Sequence, residues 1–134
     1  MTPETDLATL ITNLRPEIRP ATYVFCNLAD AKYGALAQTQ PLACFAEAEG
    51  LTLVITQESA ELEGLSYQGT FRCLSLQIHS SLEAVGLTAA VTSELASHGI
   101  SANVIAAFYH DHLFVPSRQA DLALRLLESM SGRQ

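Results

Sequence analysis

The fold is decided by the segment "FRCLSLQIH", residues 71–79, in which apolar and polar side chains alternate. Successive side chains of an extended chain point to opposite faces, so Leu74 and Leu76 share one side. Ser75 and Gln77 share the other side. This pattern predicts a β-strand whose aliphatic face packs against a hydrophobic layer.

A helix, two strands and a second helix follow this strand. Leu87, Val91 and Leu95 recur at helical spacing, and Gly99 provides the stop signal of the first helix. The segment "SRQADLALRLLESM" predicts the second helix, with Ser117 as its N-cap. The order β-α-β-β-α is that of a ferredoxin-like βαββαβ unit without its last strand.

The two strands of this unit are "SANVIAAFY" and "HLFVP", and only His110 and Asp111 separate them. A hairpin is the shortest connection between two such strands. His and Asp tolerate positive φ better than most residues. We therefore expect a tight turn at these two residues.

The strand that completes this sheet must come from elsewhere, because residues 131–134 are too few to cross it. The segment "TYVFCNL", residues 22–28, is rich in strand-forming residues and is the expected donor. We therefore expect two interlocked halves, an N-terminal half over residues 1–68 and a C-terminal half over residues 69–134.

Composition argues against two classes of partner. The chain has 134 residues, a hydrophobic fraction of 49% and a formal net charge of -7. Its seven basic residues are scattered, whereas a face that binds phosphates needs clustered Lys and Arg. No segment approaches the roughly 18 apolar residues of a membrane span, and the N-terminus lacks the pattern of a signal peptide. Neither nucleic acid nor a membrane is an expected partner.

The three cysteines, Cys26, Cys44 and Cys73, each lie in an apolar run that predicts a strand. An odd number of cysteines without the spacing of metal ligands indicates reduced thiols in a protein core. The expected location is therefore the cytoplasm.

Four segments together resemble a family of small bacterial proteins built from paired ACT domains: "AEAEGLTLVI", "HSSLEAVGLTAAV", "GISANVIAAFYHDHLFV" and "YVFCNL". The resemblance covers residues 5–130. It implies an α+β fold of two interlocked halves, each a ferredoxin-like (ACT) βαββαβ unit with an antiparallel sheet. It also implies a regulatory role without catalysis, binding of an amino acid or similar small molecule, and assembly into a homo-oligomer. Since no enzyme domain accompanies the motifs, the expected role is either to act on a separate target protein or simply to bind a metabolite.

The motif "HSSLEAVGL", residues 79–87, is the first expected ligand site. Ser80 and Glu83 have the spacing of a capping box, so one interpretation is that they only cap a helix. The unpaired N–H groups of a helix start also attract anions. The resemblance favours a pocket that faces the carboxylate of an amino acid, with these ligand-binding residues: His79, Ser80, Ser81, Glu83, Gly86 and Leu87.

The motif "YHDHLFVP" supplies the other expected ligand-binding residues, His110, Asp111 and His112. Residues i and i+2 of a strand share a face, so an alternative is a metal-binding protein or metal-dependent enzyme that also uses His79. A further alternative is a protein-interaction module with no ligand. Because no nucleophile motif or phosphate loop is present, neither enzyme activity nor a cofactor is expected.

Asp111 is the residue that we expect to bind the ammonium group of an amino-acid ligand. This hypothesis requires Asp111 to lie close to the loop of residues 80–86. In a ferredoxin-like unit we expect that loop and the hairpin at opposite ends of the sheet, roughly 15 to 20 Å apart. A second unit, or a strand position for Asp111, would then be needed to bring the two together.

Overall fold

The structure is a computed structural model that describes residues 6–78 and 86–131. Helices and strands combine in an α+β arrangement. Short 3₁₀ turns lie at Ala37–Thr39 and Ser117–Gln119. In chain order the elements are α1 (Leu7–Thr12), β1 (Pro16–Leu28), β2 (Ala43–Glu47), β3 (Gly50–Thr56), α2 (Gln57–Leu62), β4 (Phe71–Leu76), α3 (Leu87–Ala96), β5 (Asn103–Ala106), β6 (Asp111–Pro116) and α4 (Ala120–Met130).

The chain forms two compact units that differ from the expected halves, 1–68 and 69–134. Unit 1 combines Met1–Pro20 with Arg72–Gln134, and unit 2 is Ala21–Phe71. The first 20 residues therefore belong with the C-terminal part of the chain. The reason is the length of β1, whose 13 residues begin in one unit and end in the other.

Unit 1 has the strand order β1-β4-β6-β5, with the first residues of β1 beside β4. This is a ferredoxin-like unit in which β1 takes the place of the last strand. Strands β5 and β6 form an antiparallel hairpin. Helices α1, α3 and α4 contribute to one apolar core with the inner face of the sheet. Its buried residues are Leu10, Leu14, Leu74, Leu76, Leu87, Val91, Leu95, Ile100, Leu113, Val115, Ala120, Ala123 and Leu127.

Unit 2 has the strand order β2-β3-β1, and both pairings are antiparallel. Glu47 pairs with Gly50 at the turn of the β2–β3 hairpin. The hydroxyl of Thr56 accepts the N–H of Ser59 and so caps α2. The buried residues of its core are Val24, Cys26, Leu51, Leu53, Ile55 and Ala60.

The strand that completes the sheet of unit 1 does come from the beginning of the chain, but from a different segment. The backbone N–H of Gln77 donates to the carbonyl of Leu14 at 3.1 Å, and Nη2 of Arg72 donates to the carbonyl of Arg19 at 2.7 Å. The expected donor, residues 22–28, pairs instead with β3. The prediction of a donated strand is confirmed, and the predicted segment is wrong.

Three local predictions are also wrong. The turn between β5 and β6 is formed by residues 107–110, so Asp111 lies in a strand. Gln119 occupies the N-cap of α4, because a 3₁₀ turn that begins at Ser117 precedes the helix. All three cysteines are free, but Cys44 is exposed because β2 has most of its surface open to solvent.

We predict that Leu14→Ala lowers the free energy of unfolding by about 2 to 5 kcal/mol, because Leu14 is fully buried in the core of unit 1. Urea denaturation measures the change. The matched control is Leu62→Ala, since Leu62 is 81% exposed, and it should change the free energy by less than about 0.5 kcal/mol. Equal effects of the two substitutions would contradict the assignment of the N-terminal segment to this core.

Candidate functional site

The helix-free face of the unit 1 sheet carries a polar cavity. Its volume is about 280 Å³, and β1, β4 and β6 each contribute to its lining. We call it the polar cavity. The residues that line it are Glu17, Ile18, Arg19, Pro20, Ser75, Gln77, His110 and His112.

Strand alternation explains why polar side chains collect here. On β4, Leu74 and Leu76 enter the core of unit 1, so Ser75 points to the opposite face. On β1, Ile18 packs against the same core, and its neighbour Arg19 lines the cavity. Three neighbouring strands thus send polar side chains to one side of the sheet.

Hydrogen bonds order the side chains across the three strands. The Oγ of Ser75 lies 2.7 Å from Nδ1 of His112, and the Sγ of Cys73 lies 3.9 Å from the same Oγ. Nε2 of Gln77 donates to Oε1 of Glu17 at 3.2 Å. These contacts hold His112 and Glu17 in defined positions on the wall of the cavity.

The electrostatics of the cavity favour neutral groups beside one guanidinium. Burial lowers the pKa of His112 below its ordinary value, and the positive charges of Arg19 and His110 lower it further. His112 is therefore neutral at pH 7. Burial raises the pKa of the Cys73 thiol. The hydrogen bond with Ser75, the charge of Arg19 and a hydrogen bond from Arg19 only partly oppose this shift. The thiol is therefore protonated.

Asp111 lines a shallow groove on the opposite face of the sheet, between the strands and α3, and in this structure the groove has no interior space for a water-sized molecule. Burial raises the pKa of its carboxyl, and the nearby charge of His110 opposes the shift only in part. Gly86 occupies the N-cap of α3 with φ +96° and makes no side-chain hydrogen bond to the helix. We call this the Asp111 groove; its lining is Leu76, Leu87, Thr88, Val91, Thr92, Val104, Asp111 and Leu113.

The structure brings Asp111 and the start of α3 together within one unit, so the expectation that they lie at opposite ends of the sheet is wrong. His112, near the start of β6, is hydrogen-bonded to Ser75, near the end of β4. The start of β6 therefore lies beside the end of β4, from which the chain continues toward α3. No second copy is needed to join Asp111 and Leu87 in one groove.

The structure does not bring His110, Asp111 and His112 into one pocket. The two histidines line the polar cavity, as their i, i+2 spacing predicts, and Asp111 lines the groove on the other face. The other expected ligand residues, His79, Ser80, Ser81 and Glu83, lie outside the described residues. Within residues 6–78 and 86–131, no group of three or more His, Cys, Asp or Glu side chains is arranged to hold a metal ion.

Glu17 and Arg19 are cavity residues that the sequence analysis missed. Pro16 and Pro20 flank these residues, and prolines at this spacing favour the end of a helix over a strand. The polar-apolar-polar order Glu17, Ile18, Arg19 was the available signal for a strand. Proline is compatible with this strand because the registered pairs with β3 begin only at Tyr23, beyond both prolines.

The strand order of unit 1, with three helices against one face of the sheet, defines the ferredoxin-like class. Within that class, the signature of the ACT domain matches the chain twice, over residues 2–72 and 68–129. The chain therefore belongs to the ACT-domain family. ACT domains are typically regulatory modules that bind small molecules such as amino acids, and they often oligomerise.

Solved structures with the same fold include a protein of unknown function from Vibrio cholerae, described as a possible transport protein. It is 44% identical to this chain, with a TM-score of 0.85 over 92% of this chain and 94% of its own. A protein from Agrobacterium tumefaciens is 22% identical, with a TM-score of 0.72 over 87% of each chain. The regulatory subunit of aspartate kinase from Thermus flavus is 12% identical, with a TM-score of 0.61 over 86% of this chain and 95% of its own.

No curated protein sequence matches the chain. Among the residues that the structure describes, no helix has the length and apolar character needed to cross a membrane.

We predict that Asp111→Asn raises the stability of the protein at pH 7. The folded-state pKa of Asp111 is raised, so the folded protein binds its proton more tightly than the unfolded chain. Stability is therefore lost as pH rises through that pKa, and an uncharged amide avoids the loss. The difference from the unsubstituted protein should vanish below about pH 3.9, the ordinary pKa of Asp. Chemical denaturation at several pH values measures it.

The matched control for this prediction is Asp121→Asn. Asp121 is exposed in the first turn of α4, where a negative charge stabilises the helix by about 0.3 to 1 kcal/mol. Its replacement should lower stability at pH 7, which is the opposite sign. A loss of stability at pH 7 in Asp111→Asn would contradict the prediction.

Proposed function

We propose that this chain is a regulatory ACT protein that binds an amino acid in the Asp111 groove and acts through binding, without catalysis. The regulated partner is a separate target protein, and the working assembly is a homo-oligomer in the cytoplasm. Membership of the ACT family supports the regulatory role. The Thermus flavus neighbour, itself a regulatory subunit, supports it at the level of fold. The three free cysteines agree with a reducing compartment.

The observation that carries the proposal is the pairing of Asp111 with the start of α3 in one groove. The first N–H groups of a helix have no partner within the helix and attract a carboxylate. Gly86, at the N-cap, has no side chain to occupy them. Asp111 supplies the opposite charge, which an ammonium group needs. An amino acid carries both groups on one carbon, so its two charges complement Asp111 and the start of α3. Because the groove is closed in this structure, binding requires it to open.

The raised pKa of Asp111 supports a ligand that is a cation at this point. Burial makes the ionised carboxylate costly, and the charge of His110 offsets the cost only partly. A bound ammonium group would bring the pKa of Asp111 back down by direct attraction. Perturbed carboxyl groups of this kind cluster at functional sites.

The segment of residues 79–85 leads directly into Gly86, and we assign it to the same site. In this proposal His79, Ser80, Ser81 and Glu83 supply side-chain contacts to the ligand beside the N–H groups of α3. Leu87 forms the apolar floor of the groove, since its side chain is buried in the core of unit 1.

A thermal-shift screen of the twenty amino acids tests the proposal. At least one should raise the melting temperature, because a ligand at 100 times its Kd adds about 2.7 kcal/mol of stability. Asp111→Asn should lose most of this gain, and the control Asp121→Asn should keep it. The proposal fails if no amino acid stabilises the protein, or if Asp111→Asn responds as the unsubstituted protein does.

A further inference from the structure

The polar cavity holds a cationic side chain that is incompletely paired. Nε of Arg19 is buried and has no hydrogen-bond partner within the described chain. No ion pair joins the guanidinium of Arg19 to Glu17, although both line the cavity. The positive charge of Arg19 lowers the pKa of both His112 and Cys73, and a hydrogen bond from its side chain to the Cys73 thiol lowers the pKa of Cys73 further, so it is the Nε group that lacks a partner. A buried donor without a partner costs stability, so a partner from outside the chain would be favourable.

Donors and acceptors are separated along the cavity. Arg19 is the donor at one position. Nδ1 of His112 is already bonded to Ser75, so Nε2 is the ring nitrogen that remains for a ligand. Glu17 provides carboxylate oxygens two residues away, and Gln77 holds one of them. Residues i and i+2 on one face of a strand are about 7 Å apart. That spacing leaves room for a carboxylate beside Arg19 and an ammonium beside Glu17 on the same small molecule.

The volume of the cavity limits the size of its ligand. Ligand pockets for drug-sized molecules are roughly 300 to 1,000 Å³, and the polar cavity, at about 280 Å³, lies just below that range. The presence of Glu17 among the lining residues disfavours a simple anion such as phosphate, because the carboxylate would repel it.

We propose that the polar cavity is a second ligand site, separate from the Asp111 groove, that binds the zwitterionic head of a free amino acid. Arg19 and His112 bind the carboxylate, and Glu17 binds the ammonium group. The two sites occupy opposite faces of one sheet, so neither ligand blocks the other. This site does not depend on the Asp111 groove being occupied.

Side-chain ¹⁵N NMR of the histidines in the full chain tests the second site. The signals of His112 are assigned by their loss in His112→Gln, and each of the twenty amino acids is then titrated at millimolar concentration. At least one should shift the His112 signals in a saturable way. The absence of any such shift overturns the proposal.

Charge-matched variants test the role of Arg19. Arg19→Gln should weaken binding at this site at least about tenfold, the loss expected for a charge-assisted hydrogen bond. The control is Arg15→Gln, which removes the same charge from an exposed side chain nearby and should leave the affinity unchanged. Equal affinities in the two variants overturn the assignment. Urea denaturation of both variants establishes that each is folded before the comparison is made.

Acetate and methylammonium test the carboxylate contact and the ammonium contact one at a time. Acetate carries only the carboxylate and should bind at least about tenfold more weakly than the amino acid, as should methylammonium, which carries only the cation. Glu17→Gln should weaken the binding of the amino acid and leave the binding of acetate unchanged. If acetate binds as tightly as the amino acid, the site is a simple carboxylate site and the proposed ammonium contact is wrong.

The two proposed sites can fail independently. Asp111→Asn should abolish the rise in melting temperature caused by the amino acid and leave the NMR shifts of His112 intact. Arg19→Gln should abolish the NMR shifts and leave the rise in melting temperature intact. If Asp111→Asn removes the His112 shifts, the cavity is not a separate site. If the thermal response persists in Asp111→Asn and disappears in Arg19→Gln, the cavity is the amino-acid site and the function proposed for the groove is wrong.

Discussion

The alternation of side chains along three neighbouring strands is the constraint on which the rest of unit 1 depends. Leu74 and Leu76 of β4, Leu113 and Val115 of β6, and Ile18 of β1 all pack in one apolar core. The residues between them are thereby committed to the opposite face, where they form the polar cavity. Because the period is two, a shift of one residue in register would exchange the two faces completely. The core therefore fixes the position of Ser75 and His112 as firmly as it fixes Leu74 and Leu113.

The sequence was a good guide wherever one pattern dominated a whole element. The alternation of residues 71–79 predicted β4, and the spacing of Leu87, Val91 and Leu95 predicted α3 with all three side chains buried. The ferredoxin-like order and the need for a donated strand followed from the order of elements alone. These features depend on short-range periodicity, which a single sequence carries directly.

The sequence was a poor guide where long-range pairing decided the outcome. Pro16 and Pro20 argue against a strand locally, yet β1 begins at Pro16 because its first residues lie beside β4. The position of the β5–β6 turn likewise depended on pairing, which places Asp111 opposite Ala106 in the ladder. Because of both errors, the shared face of Glu17, Arg19 and His112 could not be predicted. These residues lie on one face only after three distant segments have paired.

Both candidate sites are built from groups that cost the folded state energy. Burial disfavours the charged form of Asp111 in the groove and of His112 in the cavity, and it leaves Nε of Arg19 without a partner. Stable cores contain few such groups unless a function retains them. Asp111 and His112 are neighbours on one strand and face opposite sides of the sheet. One strand therefore supplies each site with a side chain whose charged form is disfavoured by burial.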